Sequence, residues 1–152
     1  MAAQWTAGNT SGQILSSTKL NTIGAAWETY TPTPIQQNFV TSFTTNYSKY
    51  AQIGKTIFVN QKITFTGSTG AAAGQPIISN LPFSAAAGAG LTGSFYYFRA
   101  GVANYGGPVT GWPANSFWLQ FVLPNDSLIG QSPNFIVANT HFLQFSVTYE
   151  TT

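Results

Sequence analysis

Four side chains of this 152-residue chain could act as an acid, a base or a metal ligand: Glu28, Asp126, His141 and Glu150. Hydrolysis by paired carboxylates requires one carboxylate on each side of the bond that is cleaved. No two of the three carboxylates lie close together in the sequence. Asp126 stands in Pro-Asn-Asp-Ser, which is typical of a turn in which the carboxylate bonds its own backbone. His141 is best interpreted as a hydrogen-bonded structural histidine at the start of a strand. We therefore predict neither a catalytic residue nor a metal ligand.

Other catalytic and cofactor motifs are also missing from the sequence. A Ser-His-Asp site can be assembled from distant residues, but the chain has no Gly-x-Ser-x-Gly elbow. The glycine-rich stretch at residues 70–74 lacks the Lys-Ser or Lys-Thr of a phosphate-binding loop. Without cysteine there is neither a disulfide nor a thiolate metal site. We predict a protein that is not an enzyme and has no cofactor. The enzymatic alternative, hydrolysis of a surface polysaccharide, would need an acid–base pair.

Charge is the anomaly of the composition. Only 5% of residues are Asp, Glu, Lys or Arg, against about 25% in an average soluble protein. A neutral surface avoids like-charge repulsion and therefore suits many copies crowded on one assembly. A nucleic-acid surface needs clustered cations, whereas the five cations here are scattered, so we predict no nucleic-acid partner. The five are Lys19, Lys49, Lys55, Lys62 and Arg99.

No targeting or membrane-spanning segment is apparent in the sequence. The first residues, Met-Ala-Ala-Gln-Trp-Thr, have neither the basic start nor the apolar centre of a signal peptide. No run approaches the roughly 18 apolar residues of a membrane span. We expect a chain that is made in a cytoplasm without a signal peptide and has no membrane partner.

The clearest element is a strand at residues 57–66, where apolar and polar side chains alternate with a period of two. The apolar side chains, which share one side of the extended chain, are Ile57, Val59, Ile63 and Phe65. Gly54-Lys55 predicts a turn into the aromatic-rich segment 46–52, which we expect to pair with this strand.

Several further short segments have the composition of strands, and residues 142–150 alternate most cleanly. One face of that last strand carries Leu143, Phe145, Val147 and Tyr149. Short strands joined by Gly- and Pro-rich turns, with no strong helical stretch after residue 30, indicate an all-β protein. We predict an antiparallel β-sandwich or jelly-roll-like domain over residues 31–152.

Residues 1–30 differ from the rest and form a predicted N-terminal arm. Ser16-Ser17 can cap one short helix, because apolar residues follow at helical spacing. One interpretation is a frayed tail with a turn packed on the domain. The other is a docking arm whose apolar side chains insert into a neighbouring protein. The candidate docking residues are Trp5, Leu20, Ile23 and Trp27.

Residues 95–98, Phe-Tyr-Tyr-Phe, place aromatic rings on both faces of a predicted strand. The outer face of an antiparallel sandwich normally meets water, so either another part of the chain or a neighbouring subunit must cover these rings. Because surface charge is so scarce, we favour a homo-oligomer. Four aromatic residues in or near Gly- and Pro-rich loops either pack in the core, anchor a partner or stack on sugars: Tyr96, Tyr105, Trp112 and Trp118. The candidate oligomer or ligand contacts are Phe95, Tyr96, Tyr97, Phe98, Trp112 and Trp118.

Four segments between residues 20 and 83 have a pattern that is more than composition: Trp27-Glu-Thr-Tyr-Thr-Pro-Thr33, Tyr50-Ala-Gln-Ile-Gly-Lys-Thr-Ile-Phe-Val59, Ile63-Thr-Phe-Thr-Gly67 and Leu81-Pro-Phe83. In these segments the chain resembles a group of tailed-bacteriophage virion proteins, which are head-decoration or minor structural proteins and distal domains of tail fibres. The resemblance implies a β-sandwich module, commonly trimeric, displayed on a virion. It carries over no catalytic residue, because the matching positions are structural.

The expected function is therefore that of a phage structural protein located in the virion. We expect a homotrimeric β-domain that decorates the capsid or tail and is attached to other virion proteins through its N-terminal arm. The short chain shows no shaft-like repeat or coiled-coil heptad, which favours decoration over a fibre tip. The alternative is a receptor-binding tail-fibre or appendage module that recognises a host surface glycan through loop aromatics.

Overall fold

The computed structural model describes residues 26–36, 39–40, 42–67, 75–87, 90–112 and 115–151, without the side chains of residues 39, 40, 112 and 115–117. Every regular helix or strand in this part of the chain is a β-strand, which confirms the all-β prediction. The strands are β1 (Glu28–Thr29), β2 (Ile35–Gln36), β3 (Phe39–Val40), β4 (Ser42–Ile53), β5 (Thr56–Gly67), β6 (Ile77–Asn80), β7 (Thr92–Arg99), β8 (Ala103–Trp112), β9 (Asn115–Phe121) and β10 (Phe142–Glu150).

These strands form one curled antiparallel sheet in the order β1-β4-β5-β10-β7-β8-β9-β6-β2-β3. Strand β8 divides the sheet into two layers. Its first half pairs with β7 as far as Ser94↔Pro108, and its second half pairs with β9 from Val109↔Phe121 onwards. We call β1, β4, β5, β10 and β7 the front layer, and β9, β6, β2 and β3 the back layer.

The change of partner within β8 falls between Pro108 and Val109, directly after Gly107-Pro108. A Cβ atom on Gly107 would lie 2.1 Å from the carbonyl oxygen of Val122, so only glycine fits there. The same backbone is held by a 3.1 Å hydrogen bond from the Val122 N–H to the Pro108 carbonyl. A strand that passes from one layer to the other in this way forms a corner of the curled sheet.

The β4–β5 hairpin is the element that the sequence predicts most fully. Ile53 pairs with Thr56, which leaves a two-residue loop of Gly54 and Lys55. Gly54 has a φ of 60°, and glycine at the first loop position is typical of a type II′ turn. All four residues predicted for the inner face of β5 are buried, and this part of the prediction is confirmed; they are Ile57, Val59, Ile63 and Phe65.

The core lies between the two layers. The four apolar residues predicted for one face of β10 are all buried there, namely Leu143, Phe145, Val147 and Tyr149. Phe121 of the back layer contacts Phe95 and Phe145 of the front layer, with ring centroids 5.3 Å and 5.4 Å apart. The layers thus share one aromatic core, as expected for a β-sandwich-like domain.

A buried glutamine, Gln36 in β2, ties the edge of the back layer to an irregular segment of the chain. Its Nε2 donates to the carbonyl oxygens of Gln75 at 3.0 Å and Phe135 at 2.7 Å. Its Oε1 accepts a 3.1 Å hydrogen bond from the Val137 N–H. Residues 135–137 therefore belong to the core through a side chain, although they form no strand.

The segment assigned to the predicted arm reaches the sheet before residue 31. Glu28 pairs with Tyr50 in β4, and the Tyr30 N–H donates to the Ser48 carbonyl at 3.2 Å. Trp27 lies in the irregular stretch just before β1. Trp5, Leu20 and Ile23, and with them the candidate helix, lie outside the described residues. The boundary between an arm at 1–30 and a domain at 31–152 stays a prediction.

Candidate functional site

The structure gives each of the three carboxylates a place in or beside the sheet. Glu28 accepts a hydrogen bond from the hydroxyl of Tyr50, and this contact raises the pKa of Tyr50 to about 12. Glu150 is exposed at the end of β10. Asp126 is exposed in a turn with a φ of 62°. Within the described residues, no group of three or more His, Cys, Asp and Glu could hold a metal ion.

The turn around Asp126 corrects one detail of the sequence interpretation. A side chain does bond the turn backbone, but it belongs to Asn125. The Asn125 Oδ1 accepts hydrogen bonds from the N–H and the hydroxyl of Ser127, at 3.4 Å and 2.7 Å. The Asp126 N–H itself donates to the Leu123 carbonyl at 2.9 Å. Asparagine and aspartate are equivalent at this position, because both side chains have an acceptor oxygen at the same distance from the backbone.

His141 is buried against the end of the core. The Ala138 N–H lies 3.2 Å from its Nδ1, and the Tyr97 hydroxyl lies 2.9 Å from the same nitrogen. A backbone N–H can only donate, so Nδ1 is an acceptor and the neutral ring holds its proton on Nε2. Burial, followed by the positive charge of Arg99, lowers the pKa of His141. The interpretation as a hydrogen-bonded histidine agrees with this geometry.

The most distinctive surface is the outer face of the front layer, where strand register sorts the side chains into rows. Across β5, β10 and β7 the successive rows are Thr64-Phe142-Phe98, Lys62-Gln144-Tyr96, Asn60-Ser146-Ser94 and Phe58-Thr148-Thr92. The first two rows hold most of the aromatic rings, and the last two hold most of the hydroxyl and amide groups. One sheet face therefore carries two chemically different surfaces.

The aromatic patch consists of Tyr96, Phe98, Phe142 and Lys62. The Phe142 ring stacks on Phe98, with centroids 5.1 Å apart and planes at 19°, and lies 5.6 Å from Tyr96. The Nζ of Lys62 sits 4.6 Å from the centroid of Phe142, a cation–π contact. Tyr96 remains 39% exposed. The patch is thus an ordered apolar surface held together by its own rings.

The Trp27 groove lies at the hydroxyl-bearing end of the same face and has a volume of about 440 Å³. Trp27 is 53% exposed although it is a large apolar side chain. A second groove of about 360 Å³ also touches Trp27 and Asn60, on the side of Tyr47 and Lys49. The lining of the Trp27 groove includes Trp27, Phe58, Asn60, Thr92, Ser146 and Thr148.

Comparison of this chain with family models, curated proteins and solved structures found no match. Within the part of the chain that is described, no helix is both long and apolar enough to cross a bilayer. The outer face of the front layer is therefore the feature from which we infer a function.

The structure divides the aromatic residues that the sequence singled out as contacts. Phe95 and Tyr97 point into the core, where Tyr97 is fully buried, so neither ring is available to a partner. Tyr96 is exposed and Phe98 is half-buried on the outer face. Trp118 is half-buried in β9, on the back layer. Trp112 lies in β8, and its side chain is outside the described residues.

Sequence reasoning missed the central member of the aromatic patch. Phe142 has the same parity in β10 as Gln144 and Ser146, which places it on the outer face. The sequence alone could have shown this position of Phe142. The contacts of Phe142 with Lys62 and Phe98 could not be predicted, because they depend on β10 lying between β5 and β7.

Proposed function

We propose that this chain is a structural protein of a tailed-bacteriophage particle, a homotrimeric β-domain that decorates the capsid or tail. Residues 1–25 attach it to other virion proteins, and the aromatic patch forms the contact between copies. Decoration of this kind stabilises a shell because the protein binds only the assembled state and so shifts the equilibrium towards it.

The single observation that carries the proposal is the aromatic patch. Phe98 and Phe142 are half-buried and Tyr96 is exposed on an outer sheet face that would ordinarily be polar. An ordered apolar surface of this kind usually marks a protein interface. Aromatic rings also supply most of the binding energy where they are fully desolvated.

Two properties of the sequence support a particle as the setting. The content of charged residues is 5%, so neighbouring copies repel each other little when crowded together. The segments at residues 27–33, 50–59, 63–67 and 81–83 resemble phage virion proteins. In the structure these same segments include β1 and most of the β4–β5 hairpin, which makes them a coherent part of the fold.

Sedimentation velocity tests the self-association. We expect the wild-type chain to form one discrete oligomer at micromolar concentration and the double variant Tyr96→Ser, Phe98→Ser to be monomeric. Ile136→Ser is the matched control, because Ile136 has the same exposed fraction as Tyr96, 39%, but lies outside the patch. A wild-type monomer, or an oligomer that persists in the double variant, would contradict the proposal.

The location is tested on purified phage particles from cells that make the chain. We expect the full-length chain in the particles at a fixed copy number, and loss of attachment when residues 1–25 are deleted. The deletion leaves β1 and its pairing with β4 in place, so the domain should still unfold cooperatively. Particles that lack the chain would rule out the structural function.

A further inference from the structure

The proposed assembly assigns no task to the exposed Trp27 or to the hydroxyl-bearing end of the front layer. We infer that the Trp27 groove is a binding subsite for a neutral oligosaccharide. This inference goes beyond the proposed function, because it gives the domain a small-molecule ligand at a surface separate from the aromatic patch.

The first element of the subsite is the indole of Trp27. It is held at the sheet edge because the next residue, Glu28, pairs with Tyr50 and bonds its hydroxyl. More than half of the Trp27 side chain is exposed, although burial of such a ring would be strongly favourable. The C–H face of a pyranose ring is flat and apolar, and it can cover the indole while its hydroxyl groups stay directed towards polar neighbours.

The second element is a set of fixed hydrogen-bonding groups. Asn60 and Ser146 stand opposite each other in β5 and β10, and the Ser146 hydroxyl approaches the Asn60 Oδ1 at 3.4 Å. Thr148 and Thr92 are opposite each other one row further along. Hydroxyl and amide groups both donate and accept, which is what the hydroxyl groups of a sugar require. Strands position these groups more rigidly than loops would.

The charge of the groove selects among ligands. None of its described lining residues carries a charge. Lys49 pairs with Asn60 across β4 and β5, but it lines the second groove and not this one. A phosphate, a nucleic acid or an acidic sugar would therefore find no cation among the lining residues of the Trp27 groove to replace its counterions. The volume of about 440 Å³ falls within the range of roughly 300–1,000 Å³ that is typical of ligand sites. A neutral polar ligand with one apolar face fits these constraints.

A second copy of the chain fits the groove less well. In a homotrimer each copy presents a different surface to its neighbour. An apolar surface laid over the groove would leave the hydroxyl and amide groups of the groove without hydrogen-bond partners. The aromatic patch, which is made mainly of packed rings, is the better surface for self-contact. The sugar subsite also differs in position from Trp118, which is half-buried in the back layer.

The test is a printed array of neutral and acidic oligosaccharides probed with the full-length chain, followed by calorimetry with each neutral sugar that binds. We expect neutral sugars to bind and acidic ones not to. The per-site affinity should fall at least about tenfold in Trp27→Ala and about threefold or more in Asn60→Ala. Val102→Ala, which removes an exposed apolar side chain in the β7–β8 turn, should bind like the wild type.

The failure of this inference and that of the proposed function are distinguishable. No bound neutral sugar, or unchanged affinity in Trp27→Ala, overturns the subsite whatever the oligomeric state. Loss of the oligomer in Trp27→Ala without sugar binding would mean that a second copy occupies the groove, which also overturns it. If the subsite is correct, the Tyr96→Ser, Phe98→Ser variant keeps its per-site affinity even where it has become monomeric.

Discussion

His141 is a residue whose proton position is set by the backbone. Its Nδ1 accepts a hydrogen bond from the Ala138 N–H and faces the Tyr97 hydroxyl. A proton added to Nδ1 would therefore point at the Ala138 N–H, which can only donate. The pKa of the folded state is lowered by burial and by Arg99. Above an unfolded-state pKa of about 6.5 the ring is neutral in both the folded and the unfolded state, and the free energy of unfolding has its full value. Below it the unfolded state takes up a proton first, and stability is lost as the pH falls towards the folded-state pKa.

We predict that the urea midpoint of the wild-type protein decreases between about pH 7 and pH 5. The chain has one histidine, and histidine is the side-chain type whose ordinary pKa lies in this range. In His141→Asn an amide oxygen can still accept from Ala138, but nothing titrates. The variant should be less stable at neutral pH and nearly independent of pH. Equal slopes in the two proteins would show that His141 is not the cause.

Gln36 makes a second prediction at the residue scale. Replacing it by leucine leaves the Val137 N–H and the carbonyl oxygens of Phe135 and Gln75 without this partner. We expect Gln36→Leu to reduce the free energy of unfolding by about 3 kcal/mol. Gln131→Leu is the matched control, because Gln131 is exposed, and should change stability by no more than about 0.5 kcal/mol. Chemical denaturation measures both, and similar values would contradict the anchoring role.

At the scale of the element, the corner in β8 decides how the two layers close. A methyl group at residue 107 would overlap the Val122 carbonyl, which itself belongs to a hydrogen-bonded backbone. We predict that Gly107→Ala lowers the free energy of unfolding by about 3 kcal/mol. At Gly90 an added Cβ meets nothing within 4 Å. Gly90→Ala should therefore be near neutral in the same denaturation experiment, and a near-neutral Gly107→Ala would contradict this geometry.

Strands with a local signature were predictable from the sequence, whereas the corner was not. In β5 and β10 strict alternation identifies the buried face, and glycine fixes the hairpin turn. The place where β8 changes partner depends on Val122, a residue outside β8. Gln36 is polar and would ordinarily be placed at the surface. Its burial follows from three hydrogen bonds to residues distant in the sequence, and local patterns carry no information on such contacts.

For the whole molecule, the candidate site was predictable only in part for the same reason. The sequence indicated apolar side chains on both faces of the strand at 95–98, and Tyr96 and Phe98 do face outwards. It could not indicate that Phe142 and Lys62 join them, because strand order brings β10 and β5 alongside β7. Trp27 was expected as a docking residue. The groove beside it is a product of the sheet and has no signature in the sequence.

The low charge of the whole molecule leads to a prediction about self-association. The aromatic patch contains one charged group, Lys62, and that group lies over an aromatic ring of its own chain. Raising NaCl from about 0.1 M to 1 M shortens the Debye length from about 10 Å to 3 Å and weakens contacts between exposed charges. A contact made by aromatic rings should instead hold or tighten slightly in salt.

We therefore expect the dissociation constant of the oligomer, measured by sedimentation equilibrium, to change by less than about threefold over that range. Lys62→Met keeps an apolar stem over Phe142 and removes the charge, so it should alter the affinity modestly and leave the salt dependence unchanged. A contact built on ion pairs would dissociate progressively in salt, because its attraction is screened. That outcome would contradict an interface at the aromatic patch and would indicate one at exposed charged residues, such as Lys49 and Glu150.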